Sequence, residues 1–401
     1  MHSPSSAACA GASPASATRL PMSALLALAL TGFIAILSET LPAGLLDQIA
    51  NGMQISQAMA GQWVTAYALG SLLTAIPLVT LTQGWWRRRA LLLAIGGFIL
   101  FNGLTAVSSD NTLTLLLRFC TGAAAGLAWG LIAGHARRMV APAQQGKAMA
   151  VAMLGQPIAL SLGLPIGTWL GALMGWRATF VMVTLAALLL AAWVLRAVPD
   201  FPGQAAGKRP AAMAVLRTPG VARVLLVILA WILGHNILYT YIVPLIAAAG
   251  MAEAVGQVLM TFGLASLAGI ALVGLGVDRH LRGLVLLCLA GFALATLALG
   301  QVQGAPWLVH VSVALWGLTY GGAPTLLQTA CADAAGEGGD VAQSMLVTVW
   351  NSAIALGGII GGLLLVGAGV GAFGAVVLAL VGLAWLLVLG GRRAGFAAGA
   401  R

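Results

Sequence analysis

Charge is what this sequence lacks. Only 7% of its 401 residues are charged, and only nine of them are acidic. A soluble globular domain carries roughly 25% charged residues, so this chain has too few to cover a water-facing surface. Cysteine is scarce as well, at four. Cys9, Cys120, Cys288 and Cys331 show neither paired nor metal-binding spacing, which argues against a disulfide framework or a metal site. The motifs GxxxxGK[ST], GxSxG and HExxH are absent, as are paired aspartates for a metal–diphosphate site. Their absence disfavours an ATP-driven pump and an intramembrane enzyme. No cofactor and no metal is expected.

Apolar residues are abundant, at 61%. The chain therefore reads as a multi-pass membrane protein whose solvent is mostly lipid. The formal net charge of +10 could point to nucleic acid. The basic residues flank the apolar runs, however, so membrane topology explains them and no nucleic-acid partner is expected. Some of the twelve tryptophans sit near the ends of those runs, where indoles favour the interface.

A spanning helix needs about 20 mostly apolar residues. Six such runs lie near 22–46, 61–81, 90–108, 112–134, 147–174 and 178–198, and six more near 221–248, 254–277, 283–302, 307–331, 341–367 and 371–391. The expected organisation is a disordered N-terminus (1–20), a six-helix bundle (21–198), a linker (199–219), a second six-helix bundle (220–392) and a short tail (393–401). Pro199, Pro202, Gly203, Gly207 and Pro210 break helices in the linker, which reads as a tolerant, non-catalytic loop. The fold class is all-α, with twelve spans in two pseudo-symmetric halves. Such repeats place a transport site between the halves, near the midplane.

An even number of spans puts both termini on one side. Arg87–Arg89, Arg137, Arg138, Lys147, Arg196, Lys208, Arg209, Arg217, Arg223, Arg279, Arg282, Arg392 and Arg393 all fall on that side, whereas Arg177 alone sits in an opposite loop. The positive-inside rule makes the arginine-rich side cytoplasmic. "QGWWRRR" after span 2 and "GLGVDRHLRG" after span 8 are echoes at equivalent positions.

Within "IAILSETLPAGLLDQ" the carboxylate of Glu39 sits inside span 1, with Pro42 close behind it. At 1.5 Å per residue, Glu39 lies roughly 25 Å from the inner end of a ~30 Å core. By the same rise Arg118 of span 4 lies roughly 9 Å below the outer face. Two opposite charges thus share a depth where charge is expensive. One reading is a protonatable carboxylate coupled to a fixed cation, since burial opposes ionisation and a guanidinium favours it. The other is a static ion pair holding spans 1 and 4. Asp47, just past span 1, reads as a wetted loop charge.

Span 5, "LGQPIALSLGLPIGTWLGALMGWRATF", has two helix-breaking prolines, Pro157 and Pro165. Gly155, Gly163, Gly167, Gly171 and Gly175 give it a smooth face on which a helix can pack or slide. Tyr67, Gln156, His235, Asn236, Tyr239, Trp316, Tyr320 and Asn351 fall where a small-molecule cavity would be, an apolar space with a few placed polar groups; Trp350 lies beside them. His235 reads either as an internal hydrogen-bonding group or as a residue that takes part in proton coupling.

Arg118-x-x-x-Gly122, with Gly126 and Gly130 after it, resembles the fourth-helix motif of the major facilitator superfamily. "LSLGLPIGTWLG" followed by "GWRATF" resembles the fifth-helix motif of its drug:proton antiporters with twelve spans. "SETLPAGLLDQIANGMQISQAMAGQWVTAYALGSLLTAIPL" is similar to the opening of the arabinose, sugar, nucleoside or chloramphenicol efflux branch. The superfamily's motif between spans 2 and 3 is degraded: Gln83 stands about where its aspartate would be, while Arg87 and Arg88 remain. The second copy is better kept, as Gly274, Asp278, Arg279 and Arg282.

The resemblance implies a proton-coupled exporter of small organic molecules, cycling by alternating access in a bacterial inner membrane. Glu39 and Arg118 would couple protons. Arg87, Arg88, Gly122, Gly163, Pro165, Gly167, Asp278, Arg279 and Arg282 would serve gating. Its partners would be substrate, protons and lipid, the proton gradient would supply the energy, and the chain would act as a monomer. A sugar or nucleoside uptake facilitator on the same fold is the alternative.

Overall fold

The computed structural model describes residues 20–205, 210–300, 306–392 and 394–396. The expected disordered N-terminus up to residue 19, Cys9, Lys208, Arg209, Arg393 and most of the tail lie outside the described residues. Among the described residues, ten helices are long and apolar enough to cross a membrane. Two of them, Gly256–Leu299 and Pro306–Ala368, have 44 and 63 residues. At 1.5 Å per residue each is long enough to cross twice, which brings the passes to twelve.

The first half comprises α1 (Met22–Gly44), α2 (Gln57–Leu81), α3 (Arg87–Val107), α4 (Asn111–Arg138), α5 (145–174) and α6 (Trp176–Ala197). In the second half, α7 (221–248) breaks at Tyr241. α8 and α9 share one helical run, Val255–Leu299, which kinks at His280. α10 (306–335) is interrupted at Gly322, and α11 (Gly339–Ala368) and α12 (Gly371–Gly390) complete the bundle. Helices are what lipid demands, because every backbone polar group must be satisfied within its own segment. Local chemistry sets the ends. Asp110 caps α4 by accepting from the Leu113 N–H at 2.6 Å, and Ser56 caps α2 through the Met59 N–H. Gly175, at φ +85°, makes the one-residue turn between α5 and α6, a conformation that favours glycine.

Each half has its own hydrophobic core. One gathers Trp63, Phe98, Trp176 and Phe180, the other Trp231, Phe292, Trp316 and Phe373. The two halves also repeat a backbone contact. A Cβ on Gly122 would strike the Tyr67 carbonyl, and one on Gly70 the Phe119 carbonyl. In the second half Gly321 meets the Ser266 carbonyl and Gly269 the Leu318 carbonyl, with the same spacing. α2 and α4 therefore cross as closely as α8 and α10, and only glycine allows it.

The described part of the linker is pinned to the end of the bundle that carries the arginines. Phe201 O accepts from Arg87 N at 2.9 Å, and Gln204 N donates to Gln83 O at 2.8 Å. Asp200 accepts from Arg88 N at 3.0 Å. Backbone hydrogen bonds, which need no apolar residues, hold it there. Gln83, the residue that degrades the loop motif, donates its amide to Pro210 O at 3.3 Å.

Candidate functional site

α1 lies inside its half, packed against α2, α4, α5 and α6. In a regular helix the Ser38 carbonyl would accept from the N–H of residue 42. That residue is proline and has none. Arg118 takes up the vacated acceptor: its Nη2 donates to Ser38 O and its Nη1 to Asn102 Oδ1 at 3.4 Å. Asn102 Nδ2 donates to Ser38 Oγ at 2.9 Å. The guanidinium also lies 5.1 Å from the Tyr67 ring centroid and 5.6 Å from that of Phe180, within cation–π range. Tyr67 is anchored in turn by its hydroxyl, which donates to Ala35 O at 2.7 Å. Ser38 and Asn102 were not singled out from the sequence, although Pro42 signalled a free carbonyl at Ser38.

Arg118 is therefore held by the residue next to Glu39 and not by Glu39. Among the described residues no ion pair joins them, and Glu39 makes no hydrogen bond to another side chain. Its carboxylate instead lines a cavity of about 220 Å³ between the halves. Glu39, Thr40, Tyr67, Ser71, Trp129 and Gln156 line it from the first half. His235, Asn236, Tyr239, Phe262, Tyr320, Gln328, Gln343, Trp350 and Asn351 line it from the second.

Seven of the eight residues expected in a cavity thus come together in one. The exception is Trp316, which sits behind the wall at 1% exposure. Its indole donates to His235 Nδ1 at 3.1 Å. Because an indole can only donate, Nδ1 is the unprotonated nitrogen. The His235 ring stacks on Tyr320 at 3.5 Å and 7° and on Phe262 at 5.8 Å. This geometry favours the structural reading of His235, as part of an aromatic wall. Asn236 and Asn351 face the cavity, but their amides donate to Ile232 O and Val347 O, one helical turn back.

The halves are tied together at the arginine-rich end. Asp340, 5% exposed in the first turn of α11, accepts from Arg87 at 2.9 Å and from Arg138 at 3.3 Å. Arg137 pairs with Asp333 at 2.7 Å. Asp278 accepts from the backbone N–H groups of Gly146 and Lys147 at the start of α5, a favourable place for an anion. Arg88 stays within its own half and the linker, 3.7 Å from Asp200. Arg282 donates to Val388 O and Leu389 O near the end of α12. Arg279 lines a vestibule of about 1030 Å³ at this end, with Arg137, Arg138, Asp278 and Asp340. Asp333 and Asp340 were missed in the sequence reading, though "CADAAGEGGD" holds three of the chain's nine acids.

Contacts deeper in the bundle also join the halves on this side. Thr348 Oγ1 donates to Leu72 O at 3.3 Å, and Gln328 Nε2 approaches the Met153 sulfur at 3.0 Å. On the other side of the cavity the lining residues Leu160, Tyr239 and Ile354 are about two-fifths exposed. The contacts that join the halves lie on the arginine-rich side of the cavity.

The small face of α5 turns toward α1. A Cβ on Gly155 would strike the Ala29 carbonyl, one on Gly163 the Phe33 ring, and one on Gly167 a Leu41 methyl. Between Pro157 and Pro165 the helix widens into a π turn, Ala159–Gly163. α5 thus sets the position of the helix that carries Glu39. Gly167→Leu is expected to push α1 off α5, cutting the transport rate about tenfold or more while insertion persists. Membrane yield together with initial transport rates checks this, and full-rate transport would contradict it.

A family model described as Major Facilitator Superfamily matches residues 28–358. A probable sugar efflux transporter of Helicobacter acinonychis is 28% identical over 371 residues, covering 92% of this chain and 95% of that protein. A purine ribonucleoside efflux pump of Escherichia coli is 31% identical over 354 residues, covering 85% and 88%. The solved structure of a proton:xylose symporter superposes with a TM-score of 0.73 at 15% identity, covering 93% of this chain and 95% of that one.

Proposed function

The chain belongs to the Major Facilitator Superfamily, and from that premise we propose that it is a proton-coupled exporter of small organic molecules. One observation carries the reading: Glu39, which makes no ion pair and no side-chain hydrogen bond among the described residues, faces a cavity between two six-helix halves that also holds an aromatic wall and several amides. A carboxylate kept inside the spanning region without a direct ion pair is costly unless it gains and loses a proton or meets a ligand. Arg118, fixed on the Ser38 carbonyl, supplies a steady positive field that does not consume the carboxylate. The efflux names of the two relatives support export, of sugars in one case and purine ribonucleosides in the other. The substrate class proposed is a drug, sugar or nucleoside: the rings of Tyr239, Phe262 and Tyr320 suit a flat or ring-bearing moiety, and Gln156 and Gln328 suit hydroxyl groups.

The cycle is alternating access. The Arg87–Asp340–Arg138 cluster and the Asp278 cap close the arginine-rich end while the cavity faces the other side, where substrate leaves and a proton is taken up. The opposite state requires these contacts to separate. The arginine-rich side is cytoplasmic in this reading, the membrane is the bacterial inner membrane, and the proton gradient is the energy source, with no cofactor. The test is transport in everted vesicles carrying an imposed pH gradient, acidic inside, across a panel of drugs, pentoses and nucleosides. At least one class is expected to accumulate inside against its gradient and to stop when nigericin collapses ΔpH. Equilibration only, insensitive to ΔpH, would favour a facilitator and sink the exporter reading.

A further inference from the structure

Of the residues lining the central cavity, Gln343 also lines the vestibule at the arginine-rich end. It sits on the second turn of α11 and is 1% exposed. Its amide is held in place, with Nε2 donating to the backbone carbonyl of Gln328 at 2.7 Å. Gln328 belongs to α10, lines the cavity and reaches the Met153 sulfur of α5. The floor of the cavity is therefore a seam across α11, α10 and α5, and Gln343 is the lining residue that the cavity and the vestibule share.

We propose that Gln343 is the plug between vestibule and cavity, and that a ligand moving between them displaces its amide from the Gln328 carbonyl. An apolar constriction closes by excluding water. An amide closes by bulk and a hydrogen bond, and once swung aside it offers a donor and an acceptor to a polar ligand in transit. Such a ligand would not have to shed all its hydrogen bonds at the narrowest point. The passage of a ligand rests on the exporter reading; the seal itself does not.

The seal can be measured with cycling stopped. A Cβ on Gly130 of α4 would lie 3.6 Å from Ser344 Cβ of α11, a separation suited to a disulfide. Gly130→Cys with Ser344→Cys, in a chain whose native cysteines are replaced, joins the halves on oxidation. The new side chain would also meet a Val79 methyl, so Val79→Ala makes room. A gel shift on oxidation scores the lock. The readout is the decay of an imposed pH gradient across liposomes holding the locked protein.

The locked parent should be as tight as empty liposomes. Gln343→Ala should leak about tenfold faster or more, since truncation leaves room for water beside the Gln328 carbonyl. Gln343→Leu, which keeps bulk without the amide, should stay within about twofold of the parent. No added leak from Gln343→Ala overturns the plug, and so does an equal leak from the alanine and leucine variants. If the locked background fails to insert, the same three side chains are compared without the lock and without substrate, against the same criteria. A protein that seals in this way yet never exports would refute the transport reading alone.

Discussion

Glu39→Gln is expected to insert and fold, to bind substrate more weakly than the parent, and to lose ΔpH-driven accumulation, falling at least about tenfold, to the level of empty vesicles. Glutamine preserves the volume and hydrogen-bonding reach of the protonated acid but has no proton to give up, so the carrier is held at one step of its cycle. The alternative, in which Glu39 is half of a static ion pair, predicts a different outcome. Removing one partner of a buried pair leaves the other charge uncompensated and lowers folded yield. The structure disfavours that outcome: both terminal nitrogens of Arg118 are held, by Asn102 and the Ser38 carbonyl, and neither contact depends on the Glu39 carboxylate. Yield close to the parent with abolished accumulation is the expected pair of results, read by membrane quantification and everted-vesicle transport. Accumulation at the parent level would remove Glu39 from the coupling step.

Arg118→Ala is expected to be the more damaging change to the fold. Arg118 is fully buried, and its loss strands the Ser38 carbonyl that Pro42 leaves open, removes the donor to Asn102 Oδ1 and empties the space above the Tyr67 ring. A charged hydrogen bond removed together with a new cavity costs about 3 kcal/mol or more. Thermal unfolding in detergent should show a clear fall in Tm, and transport should fall with it. The double variant Glu39→Gln with Arg118→Ala should be no more stable than Arg118→Ala alone. Recovery of stability in the double variant would mean that the two charges do serve as a pair. Arg118→Lys should rescue little, because an ammonium cannot reach Ser38 O and Asn102 Oδ1 in the planar fork that a guanidinium provides.

The twelve spans and their two-bundle arrangement were legible because they follow from apolar run length and helical rise. The cavity residues were legible for a related reason: polar and aromatic side chains are few in these runs, and those near the midplane of facing helices converge. Trp316 failed that test because depth does not fix which way a side chain turns; its indole is spent on His235. The continuous α8–α9 run hid behind "DRHLRG", which reads as a loop by charge but carries no glycine or proline until Gly283, so the helix bends at His280 without ending. The pairing of Arg87 and Arg138 with Asp340 joins residues hundreds of positions apart, a separation no local pattern encodes. The linker was read by its scarcity of apolar residues, whereas its anchors are backbone groups, which every sequence has. The matched glycines Gly70 and Gly122, Gly269 and Gly321 were visible in principle, as equal spacing in the two halves, and they record the internal repeat better than the loop echo does.

The central claim is that proton and substrate compete for Glu39 in one cavity. Its most direct test is to add a transported substrate to the purified protein in weakly buffered detergent and follow the pH of the solution. Competition at a single carboxylate predicts the release of up to about one proton per bound substrate, by linkage, and none from Glu39→Gln at matched substrate occupancy. Binding without proton release by the parent, or equal release from Glu39→Gln, would contradict it.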